Sequence, residues 1–242
     1  MTALVTGAAR GIGAAVVAAL AADGHRVAAT DLRMPEGLPD AAHGLVMDVR
    51  DDSSVTAAVA RAEELLGPVD VLVNVAGILR AGPVADAPDA DWHDVFDVNA
   101  AGVFRVSRAV ARRMTARGRG AIVTVASNAA VVPRAHMAAY AASKAAAAQF
   151  TRCLGLELAP HGIRCNVVSP GSTDTPMLHG LWTGPDGEAA TVAGDPGRFR
   201  IGIPLGRIAQ PADVAAAVAF LASDRARHIT LQDLRVDGGA AL

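Results

Sequence analysis

Short β-branched runs alternate with longer alanine-rich runs along the whole chain, and this alternation restricts the fold more than any single motif does. Strand-like runs cover Ala3–Thr6, Arg26–Thr30, Gly44–Met47, Val69–Asn74, Ala121–Ala126, Arg164–Val168 and Leu234–Val236. Helix-like runs cover Ile12–Ala22, Ser53–Leu66, Asp91–Ala116, Tyr140–Ala159 and Ala212–Ala222. Strands that keep alternating with helices predict an α/β fold: a single doubly wound, parallel, seven-stranded sheet of the Rossmann type, with helices on both faces. Residues 1–242 read as one domain, without an internal repeat or linker. Hydrophobic residues make up 52% and aromatics only 3%, so Ala, Val and Leu must carry the packing. That composition suits parallel strands covered on both sides.

The formal charge of −2 argues against a nucleic-acid partner, which needs a basic patch. No apolar run reaches the length of a bilayer span, and a strand-like run begins almost at once where a leader would lie. The expectation is a soluble, cytoplasmic protein with no membrane partner. Cys153 and Cys165 sit in apolar stretches at no metal-ligand spacing, so reduced thiols and no metal are expected. One region breaks the rhythm. From Met177 to Gly202 the chain is rich in Gly, Pro and charge, with Trp182 and Phe199 inside it. Such a segment is either a disordered surface insertion or a lid over a binding site at about 177–202. The isolated bulky aromatics favour the lid.

The first strand runs into Thr6-Gly7-Ala8-Ala9-Arg10-Gly11-Ile12-Gly13. Glycines at 7, 11 and 13 permit a tight turn and close approach of a pyrophosphate, while the following helix offers free N–H groups and a positive dipole end. The spacing G-x-x-x-G-x-G is not the usual dinucleotide fingerprint, and a ligand-free turn is the plainer reading of it. Asp31 ends the second strand, where an acid can bind ribose hydroxyls and repel a 2′-phosphate. This favours NAD as the cofactor over NADP, although Arg10 and Arg33 could each approach a phosphate. Asp48-Val49 follows the third strand and Asn74-Val75-Ala76-Gly77 the fourth. Both sit where strand C-termini meet a cofactor, and Asn74 can equally be a turn residue.

Tyr140-Ala141-Ala142-Ser143-Lys144 contains the only tyrosine in the chain. Positions i and i+4 share a helix face, so Lys144 stands beside Tyr140. A nearby ammonium stabilises a phenolate, which makes Tyr140 a candidate general base with a lowered pKa. Ser127 ends the fifth strand and can bind a substrate oxygen. Asn99 lies inside a helix-like run, where Asn is a poor choice unless its side chain has polar work. Taken alone, Y-x-x-x-K is weak and fits an ordinary amphipathic helix.

Together these residues resemble the short-chain dehydrogenase/reductase family: T-G-x-x-x-G-x-G, N-x-A-G, the helix Asn, the Ser, Y-x-x-x-K, Pro170-Gly171 and the closing Val236-Asp237-Gly238-Gly239. The resemblance covers essentially the whole chain. It implies that Tyr140 is the acid/base, that Lys144 lowers its pKa and binds the nicotinamide ribose, and that Ser127 positions the substrate oxygen. It further implies that Asn99 holds a water in a proton relay with Lys144, and that Pro170, Gly171 and Thr173 lie against the nicotinamide end. It also implies a homotetramer.

Within the family, Ala76-Gly77-Ile78-Leu79-Arg80, Ala121–Ser127, Arg164–Thr175, Gly202–Gly206 and His228–Asp233 resemble the 2,3-dihydro-2,3-dihydroxybenzoate dehydrogenases of siderophore biosynthesis, a branch of secondary metabolism. Leu231 stands where most of the wider family carries Gly. This resemblance implies a cyclic hydroxy carboxylate as substrate: a cyclohexadiene ring with vicinal hydroxyls that becomes aromatic on oxidation. A carboxylate calls for an arginine. Arg80 and Arg134 are both placed to reach it, and Met137 adjoins the same site. The chain departs from the subgroup at Asn128, where Asp is expected, and at His136, where Gly is expected. An amino group in place of one hydroxyl, as in 2,3-dihydro-3-hydroxyanthranilate, is the alternative ring. The rival classes are a nucleotide-binding module without catalysis and another short-chain dehydrogenase acting on a 3-oxoacyl, sugar or steroid substrate.

Overall fold

Successive strand residues face opposite sides of a sheet, and the first strand divides accordingly: Ala3 and Val5 enter one apolar cluster and Leu4 the other. The computed structural model describes residues 1–241. Its strands are β1 (Thr2–Thr6), β2 (Arg26–Asp31), β3 (Ala42–Val46), β4 (Val69–Asn74), β5 (Gly120–Val125), β6 (Ile163–Pro170), β7 (Gly194–Asp195), β8 (Arg200–Ile201) and β9 (Asp233–Val236). Seven of them form one sheet in the order β3-β2-β1-β4-β5-β6-β9, with every neighbouring pair parallel. β1 and β4 are buried along their whole length, as interior strands covered on both faces must be.

The helices are α1 (Gly11–Ala22), α2 (Asp52–Leu66), α3 (Asp89–Phe96), α4 (Val103–Arg117), α5 (Ala138–Leu158), α6 (Pro176–His179), α7 (Gly187–Ala193) and α8 (Pro211–Ala222). On one face α1 and α8 supply Val16, Val17, Leu20, Val214 and Val218. On the other, α2 and α4 supply Val55, Val59, Val106, Val110 and Met114. Leu4 and Leu72, in the middle of the second cluster, are both 0% exposed, and burial of each contributes roughly 2 kcal/mol. The doubly wound parallel sheet expected from the alternation is therefore present, with helices on both sides.

Three expectations fail locally. The single helix expected over Asp91–Ala116 is α3 and α4 joined by a π-helical turn at Asp97–Gly102. Its cause is Asn99, which is fully buried and bonded outside the helix. The segment 177–202 is not irregular either: it holds most of α6, all of α7 and an antiparallel hairpin pairing Gly194 with Ile201 and Asp195 with Arg200. Elements of two to seven residues leave no period long enough to read. The edge strand β3 also sits earlier than expected, paired to β2 from Ala42.

Candidate active site

β1 leads outward to β2 and β3, whereas β4 leads to β5, β6 and β9 on the other side. The loops leaving β1 and β4 therefore part company and open a crevice at the carboxyl ends of the strands. Thr6 ties the two together, its Oγ1 accepting from the backbone N–H of Val75 and of Ala76 at 3.0 Å each. Gly7 has a φ of +66°, and a Cβ there would stand 2.7 Å from the Ala76 backbone. A Cβ on Gly13 would collide with the Gly7 carbonyl oxygen. Only glycine satisfies either position.

Helix α1 begins with no side-chain cap from Arg10 and no acid in its first turn. Its first N–H groups and the positive end of its dipole thus stay available to an anion. Gly11 and Ile12 open that turn, and exposed Arg10 precedes it. Asp31, ending β2, accepts from Ala9 N–H at 3.0 Å through Oδ2 and from Leu32 N–H at 2.7 Å through Oδ1, so its carboxylate is held beside the glycine turn. An uncapped helix start, a glycine cradle and an oriented acid fit a nicotinamide dinucleotide.

The other expected cofactor residues are placed less directly. Asp48 is engaged by Arg50 at 2.8 Å, a contact that lowers the carboxyl pKa. Buried Val49 packs against Gly102. The Asn74 amide is buried and donates to Ser107 Oγ at 3.0 Å and Thr124 Oγ1 at 3.4 Å, so its side chain joins the sheet to α4. Gly77 lies between the dyad and α3–α4: a Cβ there would meet Lys144 Nζ at 3.2 Å and Asn99 Oδ1 at 3.3 Å. Pro170, Gly171 and Thr173 line the main cavity. Gly171 is pressed so closely on Asp237 that a Cβ would stand 2.9 Å from its Cα.

That cavity, about 810 Å³, is bounded by Ser127, Tyr140 and Lys144 and also by much of the 177–202 segment, including Met177, Trp182, Arg198 and Arg200. Lys144 Nζ donates to the Val125 carbonyl at 3.0 Å and lies 5.9 Å from the centre of the Tyr140 ring. Burial lowers the Lys144 pKa to about 8. The expected lowering of the Tyr140 pKa does not appear. Burial raises it, and only the Ser127 hydroxyl, within hydrogen-bonding reach, acts the other way. The reason is that a charge taken out of water is disfavoured, and the ammonium points to Val125 rather than to the phenol.

Asn99 clamps two elements. Its Oδ1 accepts from Ile78 N–H at 2.9 Å, while its Nδ2 donates to Ile78 O at 2.9 Å and Ser143 Oγ at 3.0 Å. Ser143 in turn donates to Tyr140 O at 2.8 Å. Both amide hydrogens of Asn99 are thereby committed. Arg80 pairs with Asp91 at 3.5 Å and is not among the cavity walls, whereas Arg134 and Met137 are. Asn128 donates to Asp237 Oδ2 at 3.2 Å. His136 adopts a φ of +64°, the conformation that suits the glycine expected there. Arg200 is a cavity residue that the sequence does not single out, since nothing in a Gly- and Pro-rich stretch distinguishes one arginine from another.

Comparison with known proteins agrees with this geometry. Residues 7–241 match the family described as Enoyl-(Acyl carrier protein) reductase. The chain is 50% identical to a 2,3-dihydro-2,3-dihydroxybenzoate dehydrogenase of Bacillus subtilis strain 168, over 99% of this chain and 95% of that one. It is 46% identical to the enzyme of the same name from Escherichia coli K12, over 98% and 96%. At 37% identity it also resembles a 3-oxoacyl-[acyl-carrier-protein] reductase of Escherichia coli K12, over 98% and 96%. The crystal structure of gox2181 superposes with a TM-score of 0.89 at 38% identity, covering 98% of this chain and 94% of that one.

Proposed function

The chain belongs to the short-chain dehydrogenase/reductase family and is an oxidoreductase of the nicotinamide type, and we propose that it oxidises 2,3-dihydro-2,3-dihydroxybenzoate to 2,3-dihydroxybenzoate with NAD. The observation that carries the substrate is the 50% identity, over nearly the full length, with an enzyme named for that reaction. Asp31 supports NAD over NADP, because its oriented carboxylate would repel a 2′-phosphate.

Tyr140 removes the proton of the ring hydroxyl, and Ser127 holds the same oxygen beside it. When bound, NAD supplies the acceptor for the hydride that leaves the carbinol carbon. The resulting dienone loses its ring proton by tautomerisation and becomes a catechol, so aromaticity favours oxidation. Lys144 stabilises the phenolate when its own bond is redirected from Val125, and Asn99 fixes α5 through Ser143 so that Tyr140 is aimed. Of the two arginines expected for the carboxylate, Arg134 is the one on the cavity wall. Residues 177–202 act as the lid. A cytoplasmic homotetramer, expected of the family, completes the reading.

An NAD-reduction assay tests this. Wild-type enzyme should turn over 2,3-dihydro-2,3-dihydroxybenzoate far faster than 2,3-dihydro-3-hydroxyanthranilate, and Tyr140→Phe should abolish turnover while leaving NAD binding intact. Absence of turnover on both rings would overturn the substrate reading. Full activity in the Tyr140→Phe variant would overturn the mechanism.

A further inference from the structure

Two guanidinium groups enter the catalytic cavity from distant parts of the chain. Arg134 lies in the loop between β5 and α5, and Arg200 opens β8 in the hairpin over the cavity. Both are partly withdrawn from solvent. Each gives one N–H to a neutral acceptor: Arg134 Nη2 to the Ala240 carbonyl at 3.1 Å, and Arg200 Nη2 to Ser172 Oγ at 3.1 Å.

Neighbouring arginines behave differently. Arg198 pairs with Asp195 at 3.4 Å and Arg80 with Asp91 at 3.5 Å, whereas among the described residues neither Arg134 nor Arg200 lies within ion-pair distance of a carboxylate. Burial lowers both pKa values and the Arg200 charge lowers that of Arg134 further, while the more distant carboxylates of Asp237 and Asp195 offset only part of this at Arg134 and Arg200 respectively. Two like charges sharing a desolvated cavity are mutually unfavourable until an anion stands between them. The planar fork of each guanidinium suits a carboxylate.

We infer that Arg134 and Arg200 form a two-pronged receptor for the carboxylate of the ring substrate, so that the acid group is required for productive binding. The inference rests on the function proposed above. Each prong is anchored to a different wall of the site. Ser172, the partner of Arg200, follows the Pro170-Gly171 end of β6, and Ala240, the partner of Arg134, follows β9. A carboxylate held by both cations therefore fixes the ring relative to Tyr140 from two sides.

The test compares wild-type, Arg200→Met and Arg200→Lys enzymes on 2,3-dihydro-2,3-dihydroxybenzoate and on the same diene-diol without its carboxylate. Arg200→Met should lose about 100-fold in kcat/KM on the acid, chiefly through KM, which is the loss expected for one charge-assisted contact. Arg200→Lys should recover about a tenth or more of wild-type kcat/KM, since the charge is kept and only the planar fork is lost. The diol, poor for every form, should be unaffected. A loss under threefold on the acid, or an equal loss on both rings, would overturn the receptor. Benzoate binding measured by calorimetry reads the same receptor without turnover. Wild type should bind at least about tenfold more tightly than Arg200→Met, and equal affinity would overturn it even if the ring substrate proved to be another one. Failure of the wild-type enzyme to oxidise the acid, with benzoate binding still dependent on Arg200, would overturn only the function reading.

Discussion

Leu231 occupies the space that a side chain on Gly155 would need: a Cβ built on Gly155 would collide with Leu231 Cδ2. Leu231 achieves this with a left-handed backbone, φ +65°, a conformation that costs a non-glycine residue roughly 1–2 kcal/mol. Its packing against α5 offsets that strain. Leu231→Ala should therefore be the worst substitution, because it keeps the strain and loses the packing. Leu231→Gly should be about 1 kcal/mol more stable than Leu231→Ala. Urea denaturation of both variants checks this, and an alanine variant as stable as the glycine one would show that the strain is absent.

His136 carries the same backbone strain, at φ +64°, without comparable packing, since its side chain is exposed. Its carbonyl accepts from Gly82 N–H at 2.9 Å, a bond that glycine would keep. His136→Gly should raise stability by about 1 kcal/mol, or about 3 °C in melting temperature for a chain of this size. A lower melting temperature would mean that the imidazole makes a contact worth more than the strain.

Asn99→Ala should be costly out of proportion to its size. The variant leaves Ile78 N–H and C=O without their buried partners, at 2.9 Å each in the native protein, and the expected loss is about 3 kcal/mol. Equilibrium denaturation measures it. Turnover should fall as well, because the tie through Ser143 to the Tyr140 carbonyl is lost. A loss below about 1 kcal/mol would show that water replaces the amide freely.

Lys144 is held at about 8, against an ordinary value of 10.5, by burial. Between those values the unfolded chain binds more protons than the folded one, so stability rises with pH across that window. Below it the full penalty is present. Lys144→Met removes the penalty and should stabilise the protein at pH 7 by about 2 kcal/mol, after allowing for the lost bond to Val125. The gain should fade as pH approaches 10, while turnover is lost throughout. Denaturation at both pH values checks the sign, and a variant less stable than wild type at pH 7 would contradict it.

The sheet was legible because its strands lie in short β-branched runs such as Val69–Asn74, well separated by longer alanine-rich runs. The residues of the glycine turn, the dyad and the strand-end serine were legible because their spacing is local. What was hidden depends on partners remote in sequence. The burial that raises the Tyr140 pKa and the bond that turns the Lys144 ammonium to Val125 both come from the folded packing, and no spacing reveals either. Asn99 stands out as an ill-suited helix residue, yet the break it causes in the helix depends on Ile78, on another loop. Arg80 and Arg134 look alike until Asp91 takes up the first. Arg200 becomes visible only when the short hairpin β7–β8 brings it over the cavity.

The π-helical turn at Asp97–Gly102 also bears on how this gene can change. A regular α-helix advances about 100° per residue, and a π turn amounts to one residue more than the regular spiral needs. Deleting any one residue between 97 and 102 would let α3 and α4 merge, yet would rotate one against the other by about that angle. Asn99 could then no longer meet Ile78 and Ser143 together. At this point the site is encoded by the count of residues as much as by their identity, so lineages of this enzyme should accumulate substitutions in the turn but shed its insertions and deletions.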